Sequence, residues 1–158
     1  MIPEIDISSD QHAEYPLSFF RFKFGHGAMT PPTRLYLPVR LRNPATGLTL
    51  ITYGLVDTGA DSTLLPGSLA IQLGHDLRSC GARASVSMGI ENTQVTTWRH
   101  TFDLELLSGD GTRGVRSFDN IEIDCSETDP PPLLGASDFL GCFDLAIKYT
   151  ACSLTLRW

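Results

Sequence analysis

The sequence has no run of apolar residues long enough to cross a membrane. Its first twenty residues also lack a basic segment followed by an apolar stretch, which a secretory signal would require. From these two absences we predict that the chain does not associate with a membrane and that its location is cytoplasmic.

Positive charge is scarce as well. The chain has 12 Lys and Arg residues against 18 Asp and Glu residues, which gives a formal net charge of -6. No run of Lys or Arg forms a local basic patch, and nucleic acids and anionic lipid surfaces are bound through such patches. The charge pattern therefore predicts no nucleic-acid partner.

The cysteines lack the spacing of a metal site. None of the four forms a Cys-x-x-Cys pair, and none lies at metal-ligand spacing from a histidine. We interpret Cys80, Cys125, Cys142 and Cys152 as reduced thiols rather than zinc ligands or disulfides, and we predict no metal.

The composition is that of an ordinary globular protein, and the length of the chain fits one domain. The 158 residues are 42% hydrophobic and 19% charged, which is enough apolar material for one core. Residues 1–14 are polar and rich in turn formers, and residues 16–24 alternate between apolar and polar as a half-buried strand would. We therefore predict an N-terminal tail over 1–14 and a single domain over 15–158.

Short alternating segments separated by turns dominate that domain. The turns are "NPATG" at 43–47 and "SGDGTRG" at 108–114, while "STLLPGSLAIQLG" predicts a short helix ending at Gly74. Pro38 predicts an edge or bulged strand around it. The pattern predicts a closed, mostly antiparallel all-β domain with one or two short helices. Its predicted strands lie at 33–42, 48–59, 84–107 as a hairpin, 115–124, 143–149 and 153–158.

One stretch places an acid where a strand should end. In "YGLVDTGADSTLLP", residues 53–66, Asp57 follows an apolar strand and precedes Thr58 and Gly59. An Asp-Thr-Gly tripeptide arises by chance in roughly one chain of this length in fifteen, so a plain Asx turn is one interpretation. The other is that a rigid strand carries Asp57 to the floor of a cleft.

The stretch resembles the active-site segment of the retropepsin-like aspartic proteases, in which apolar residues precede Asp-Thr/Ser-Gly-Ala and an apolar run follows. A second segment, "PLLGASDFLG" at 132–141, resembles the family's closing region. There Leu133, Leu134 and Gly135 match the apolar-apolar-Gly element beside the catalytic loop, and Asp138 matches the start of the helix. Relatives commonly have one residue between that Gly and the Asp, whereas this chain has Ala136 and Ser137.

The resemblance implies an acid-protease barrel and an aspartic endopeptidase without a cofactor. Two close carboxylates sharing one proton can hydrolyse a peptide bond, because one activates a water while the other protonates the carbonyl oxygen. The chain has a single Asp-Thr-Gly, so the second carboxylate must come from a second copy. We therefore predict a homodimer with two Asp57 side chains on its axis, acting on a peptide or protein substrate.

The same resemblance implies roles for neighbouring residues. Thr58 hydrogen-bonds across the dimer, Gly59 lets the backbone turn closely and supports the carboxylate, and Ala60 and Asp61 line the substrate cleft. For Asp61 a solvated turn acid is an equal alternative. A hairpin flap closes over the cleft in this family, and the segment with its tip at Met88, Gly89, Ile90, Glu91 and Asn92 is the candidate, with an ordinary surface hairpin as the alternative.

Three questions remain open at this level. The terminal "SLTLRW" pairs either with a partner chain, as in the dimeric relatives, or within its own subunit. Trp98 is expected to pack under the hairpin rather than to act in catalysis. Finally, the fold is also compatible with a dimerisation or peptide-binding module with little hydrolysis, or with a latent protease whose residues 1–30 cover the cleft.

Overall fold

The computed structural model describes residues 11–16, 34–79, 83–88 and 94–158, with the backbone alone for Pro16 and for 83–88. Strands make up most of these residues, and there is one short α-helix, as the sequence predicted. The strands are β1 His12–Pro16, β2 Tyr36–Arg42, β3 Thr49–Val56, β4 Leu64–Pro66, β5 Arg83–Met88, β6 Gln94–Leu107, β7 Gly114–Ser126, β8 Leu133–Leu134, β9 Asp144–Lys148 and β10 Ser153–Arg157. The helix α1 is Gly67–Gln72, and single 3-10 turns lie at Leu140–Cys142 and Tyr149–Ala151.

Seven strands form one sheet, and six of them close into a ring, with β5 paired to β6 outside it. Their order is β2-β3-β8-β4-β7-β6-β5, and an additional pairing of β2 with β6 completes a ring. Two contacts are parallel, β3 with β8 and β4 with β7, and the other pairings are antiparallel. Closure pairs strands on both edges, which removes exposed edges from most of this sheet.

The core lies inside this ring because alternate residues of each strand point the same way. Phe102, Leu104 and Leu106 of β6 are fully buried. Val39 of β2 lies opposite Leu106, and Leu41 lies opposite Leu104. The alternating pattern seen in the sequence is therefore the pattern of side chains that point into the core.

Pro38 lies where the pairing of β2 changes. Along β3 the register includes Pro38 opposite Tyr53, but the β6 pairing begins only at Val39. Proline has no N–H to donate, so it fits a position with a paired strand on one side only. The strand is thus an edge at Pro38 and interior from Val39 onward.

A second sheet has three strands in the order β1-β10-β9. β10 pairs antiparallel with both neighbours, all within one chain. Of the two pairings considered for the terminal strand, the structure therefore shows the one within its own subunit. β1 spans the boundary between tail and domain that the sequence suggested at 14–15, and most of the strand predicted at 16–24 lies outside the described residues.

The predicted hairpin at 84–107 is present as β5 and β6. The register runs from Arg83 opposite Arg99 to Met88 opposite Gln94. Trp98 of β6 is half-buried, and its indole N–H donates to Glu127 at 3.0 Å. The tip of the hairpin, residues 89–93, lies outside the described residues.

Both predicted turns are present, and glycines allow them. Gly47 ends "NPATG" with a φ of 75°, and Gly111 in "SGDGTRG" has a φ of 72°, a conformation that side chains disfavour. Asn43 accepts the Gly47 N–H through its backbone oxygen at 2.8 Å. A separate observation concerns membrane association: in the described part of the chain, no helix is both long and apolar enough to span a membrane.

Candidate active site

Asp57 lies immediately after β3, at the point where three segments meet. Its backbone N–H donates to the carbonyl oxygen of Leu134 at 3.1 Å, which extends the parallel pairing of Val56 with Leu134. On the other side, the Val56 N–H donates to Leu35 at 2.8 Å. Backbone bonds on both sides of this strand end fix the position of Asp57.

The loop after Asp57 folds back on its own carboxylate. The Gly59 N–H donates to Oδ1 of Asp57 at 3.0 Å, and the Ala60 N–H donates to the Asp57 carbonyl at 3.2 Å. Asp57 is half-buried, whereas Thr58 and Gly59 are exposed. The carboxylate is therefore held by a backbone donor and still reachable from solvent, which is what a group that acts on a water or a substrate requires.

A buried hydroxyl joins this loop to the segment after β8. Thr63 is fully buried, and its backbone N–H donates to both carboxylate oxygens of Asp138, at 3.0 and 2.8 Å. Its hydroxyl donates to Oδ1 of Asp138 at 2.7 Å and accepts the Gly135 N–H at 3.1 Å. One threonine thus uses three polar functions to connect residues more than 70 positions away.

The two residues between Gly135 and Asp138 add further bonds. Ala136 donates its N–H to Ala60 at 2.9 Å, and Ser137 donates its N–H to Asp61 at 2.8 Å. The Ser137 hydroxyl donates to the same Asp61 oxygen at 2.5 Å. The longer spacing noted in the sequence therefore lets Ser137 hold the backbone of Asp61, and Asp138 still reaches the loop.

Two glycines let β3, β8 and the loop approach this closely. A Cβ on Gly135 would lie 2.1 Å from the carbonyl carbon of Ser62. A Cβ on Gly54 would lie 2.6 Å from the side chain of Leu134. Any side chain at Gly135 would push against backbone atoms of the loop, so the apolar-apolar-Gly element is required by packing.

A solved structure has a similar fold. The chain is similar to the crystal structure of a retropepsin-like aspartic protease from Rickettsia conorii, with a TM-score of 0.57 and 21% sequence identity. The match covers 95% of this chain and 94% of that chain. The chain has a retropepsin-like fold. No protein-family model matches the sequence, and no curated protein matches it.

The retropepsin-like fold brings several predicted residues together. Asp57, Thr58, Gly59, Ala60 and Asp61 form one loop, and hydrogen bonds join this loop to the segment 134–138. The side chain of Asp61 is exposed, so its alternatives as substrate contact or solvated acid both remain compatible. Leu134, Gly135 and Asp138 lie beside the loop.

The predicted flap residues fall at the limit of the described chain. Met88 ends β5, where only the backbone is described, and Gly89, Ile90, Glu91 and Asn92 lie outside the described residues. The position of the tip relative to Asp57 therefore stays a prediction.

Among the residues whose side chains are described, no group of three or more His, Cys, Asp or Glu could hold a metal ion.

Sequence reasoning missed two residues that support the loop, and a third that forms an ion pair from β6. Thr63 and Ser137 were not assigned a role, although a hydroxyl within the apolar run "STLLP" was a signal that it needs a buried partner. The third is Arg99, whose guanidinium binds Asp124 through Nε at 3.0 Å and Nη2 at 3.3 Å. Hydrogen bonding to Asp124 and its negative charge raise the pKa of Arg99.

Proposed function

We propose that this chain is one half of an aspartic endopeptidase. In the active homodimer, one Asp57 carboxylate from each copy would activate a shared water, which attacks the peptide carbonyl. The observation that carries the proposal is the position of Asp57, which is solvent-accessible at a fixed strand end and accepts the Gly59 N–H at 3.0 Å. The retropepsin-like fold around it supports the same conclusion.

The chemistry requires a second carboxylate. One carboxylate acts as general base on the water, while the protonated partner gives its proton to the carbonyl oxygen. Two carboxylates this close cannot both ionise easily, so they titrate as a pair with separate apparent pKa values. The sequence has one Asp-Thr-Gly, which is why the proposal needs two copies of the chain.

The loop residues have distinct functions in this proposal. Thr58 is exposed in the single chain, so its hydroxyl is free to bond across the dimer axis. Gly59 supports the Asp57 carboxylate through its N–H. The substrate would lie as an extended strand over Ala60 and Asp61 and under the hairpin of β5 and β6, with main-chain bonds giving affinity. No metal or cofactor takes part.

A second candidate is a dimerisation or peptide-binding module with weak or latent hydrolysis. A module that only binds has no need of a carboxylate held by a backbone donor at a solvent-accessible strand end. For this reason the geometry at Asp57 favours the peptidase. The two candidates differ in a property that can be measured directly, the cleavage of peptide bonds.

The decisive experiment compares wild type with Asp57→Asn on an unfolded protein substrate, from acidic to neutral pH. We expect wild type to cleave in the range where one proton is shared by the pair, and Asp57→Asn to lose at least about a hundredfold of that activity. Asp119→Asn is the matched control, because Asp119 is an exposed carboxylate on β7. Equal cleavage by wild type and Asp57→Asn would exclude the peptidase, and no cleavage by either would favour the binding module.

A further inference from the structure

A cavity of about 330 Å³ lies between β1 and the turn that joins β6 to β7. Its strand wall is formed by residues 12–14 of β1, and its turn wall is formed by Ser108, Gly109, Arg113 and Val115. A volume of this size is at the lower end of the range in which proteins bind small ligands. None of these residues belongs to the catalytic loop, so the cavity is separate from the site around Asp57.

The strand wall presents backbone groups on the side of β1 that faces away from β10. In an antiparallel pair, residues whose N–H and C=O bond to the partner alternate with residues whose groups point the other way. The Trp158 N–H donates to the Gln11 carbonyl oxygen at 3.0 Å, so Ala13, two positions on, also bonds towards β10. The N–H and C=O groups of His12 and Glu14 therefore point to the opposite side. Among the described strands, none pairs with β1 there.

The open edge of β1 is short. Pro16 has the same alternation as His12 and Glu14, and its nitrogen carries no hydrogen to donate. A strand added at this edge can therefore use both backbone groups only at His12 and Glu14. The edge accommodates a segment of about three residues, and so short a ladder needs a further anchor to bind specifically.

The turn wall supplies that anchor as donors for a negative group. Arg113 is exposed and forms no ion pair among the described residues. The Gly109 N–H likewise makes no hydrogen bond with the described part of the chain. Guanidinium groups and backbone N–H groups are the donors with which proteins bind a carboxylate.

The other charged residues of this region leave the turn wall positive. Oδ1 of Asp110 accepts the hydroxyls of Ser108 and Thr112 and the Thr112 N–H, so this carboxylate is bonded within the turn. Asp110 does not line the cavity, and Glu14 belongs to the strand wall. A negative group is therefore expected to bind at the turn wall, near Arg113.

We propose that this cavity binds the C-terminal end of a short extended peptide. The peptide backbone adds to β1 at His12 and Glu14, and the terminal carboxylate accepts hydrogen bonds from Arg113 and the Gly109 N–H. Ala13 and Val115 provide apolar contacts, since both are partly buried against the core. Main-chain bonds give affinity for many sequences, and the carboxylate restricts binding to a chain end.

Cleavage of peptide bonds supplies such a ligand, because each cleavage creates one new C-terminal carboxylate on a product. This source rests on the proposed function, whereas the binding chemistry of the cavity does not. A product held at β1 leaves Asp57 unoccupied, because no residue of the catalytic loop lines the cavity.

The first test measures the need for a free carboxylate. The probe is fluorescein-labelled Thr-Val-Thr-Val, with either a free C-terminal carboxylate or a C-terminal amide, and binding to the Asp57→Asn protein is followed by fluorescence anisotropy. We expect the amide to bind about tenfold or more weakly, because it loses charged hydrogen bonds. Equal affinities would overturn the proposal, and so would no binding of the acid at about 1 mM.

The second test assigns the carboxylate to Arg113. We expect Arg113→Gln to weaken binding of the acid about tenfold and to leave binding of the amide unchanged. Unchanged binding of the amide also shows that the variant is folded. Lys148→Gln is the matched control for the loss of one positive charge, since Lys148 is exposed on β9. An equal loss for both peptides in Arg113→Gln, or an equal loss of acid binding in Lys148→Gln, would contradict the assignment.

The third test uses amide hydrogen exchange to locate the backbone contact. The acid probe should slow exchange at the His12 and Glu14 N–H groups, which point away from β10. Exchange at Ala13 and Tyr15 should not change, because their N–H groups bond to β10 with or without the peptide. Binding without slower exchange at His12 and Glu14 would place the peptide elsewhere and refute the proposal.

The source of the peptide is tested separately. An unfolded protein is incubated with wild type or with Asp57→Asn, and the short products are isolated by filtration and added as competitors of the acid probe. We expect only the wild-type filtrate to compete. A wild-type filtrate that contains peptides but does not compete would remove cleavage products as the source. A protein that binds the acid probe but cleaves nothing would keep the cavity and remove the peptidase.

Discussion

Replacing Thr63 by Val removes one hydroxyl from beneath the catalytic loop and keeps the shape of the side chain. That hydroxyl donates to Asp138 at 2.7 Å and accepts the Gly135 N–H at 3.1 Å. Thr63 is fully buried, so no water is expected to take over either bond. The change therefore removes two hydrogen bonds and adds one methyl group in a closed site.

The magnitude follows from these two bonds. A hydrogen bond to a charged group contributes about 1.5–3 kcal/mol, and a buried N–H left without a partner costs about 1–3 kcal/mol. Asp138 keeps both bonds from the backbone N–H of Thr63, which limits the loss. We expect the free energy of unfolding to fall by about 3 kcal/mol. With a urea dependence of about 2 kcal/mol per M, the midpoint moves down by about 1.5 M.

The assay is urea unfolding followed by tryptophan fluorescence, at one fixed low protein concentration because dimer formation adds to apparent stability. Asp57→Asn serves as the background so that no self-cleavage interferes. Thr63→Ser is the control, since it keeps the hydroxyl and loses one methyl group, for about 1 kcal/mol. A Val variant with the same midpoint as the Ser variant, within about 0.3 M, would refute the assigned role of the hydroxyl.

Two further predictions concern packing and pH. Gly135→Ala places a Cβ 2.1 Å from the backbone of Ser62, so we expect the free energy of unfolding in urea to fall by about 3 kcal/mol and cleavage to be lost. Gly111→Ala is the control, because a Cβ there would have no atom within 4 Å. Its free energy of unfolding should fall by only about 1 kcal/mol, owing to the positive φ of Gly111. Equal losses would contradict the packing argument. Burial, with the charge of His100, lowers the pKa of His75 from 6.5. The contribution of neutral His75 to the free energy of unfolding is therefore fully present above pH 6.5. It falls as the pH drops below 6.5, because the unfolded chain binds the proton more readily than the folded chain. We expect His75→Gln to reduce the fall in urea midpoint between about pH 7.5 and about pH 5, and an unchanged fall would show that His75 does not cause it.

The strands that the sequence predicted were those with local signals. Buried residues alternate with half-buried residues along most of β6. The turn "SGDGTRG", which needs the positive φ of Gly111, separates β6 from β7. Such patterns are visible without knowing what a strand pairs with. The short strands β4 and β8 lacked enough residues for a pattern, and they are strands only because β3 and β7 lie beside them.

The candidate site also contains residues that the sequence revealed and residues that it did not. Asp57, Thr58 and Gly59 are consecutive, so their motif could be found directly in the sequence. Thr63 and Ser137 form hydrogen bonds with residues more than 70 positions away, and no nearby sequence feature predicts those partners. The pairings of β8 with β3 and with β4 bring the two segments into hydrogen-bonding distance.

An all-β chain with one Asp-Thr-Gly loop after an apolar strand could be predicted from local features, because alternation, turn residues and a tripeptide motif need no knowledge of distant residues. Which strands are neighbours depends on the tertiary fold. It paired β10 within its own chain, left one edge of β9 without a partner among the described strands, and placed Thr63 against Asp138. The physical reason is that strand pairing and buried hydrogen bonds depend on distances between residues far apart in the chain, which a local pattern does not contain.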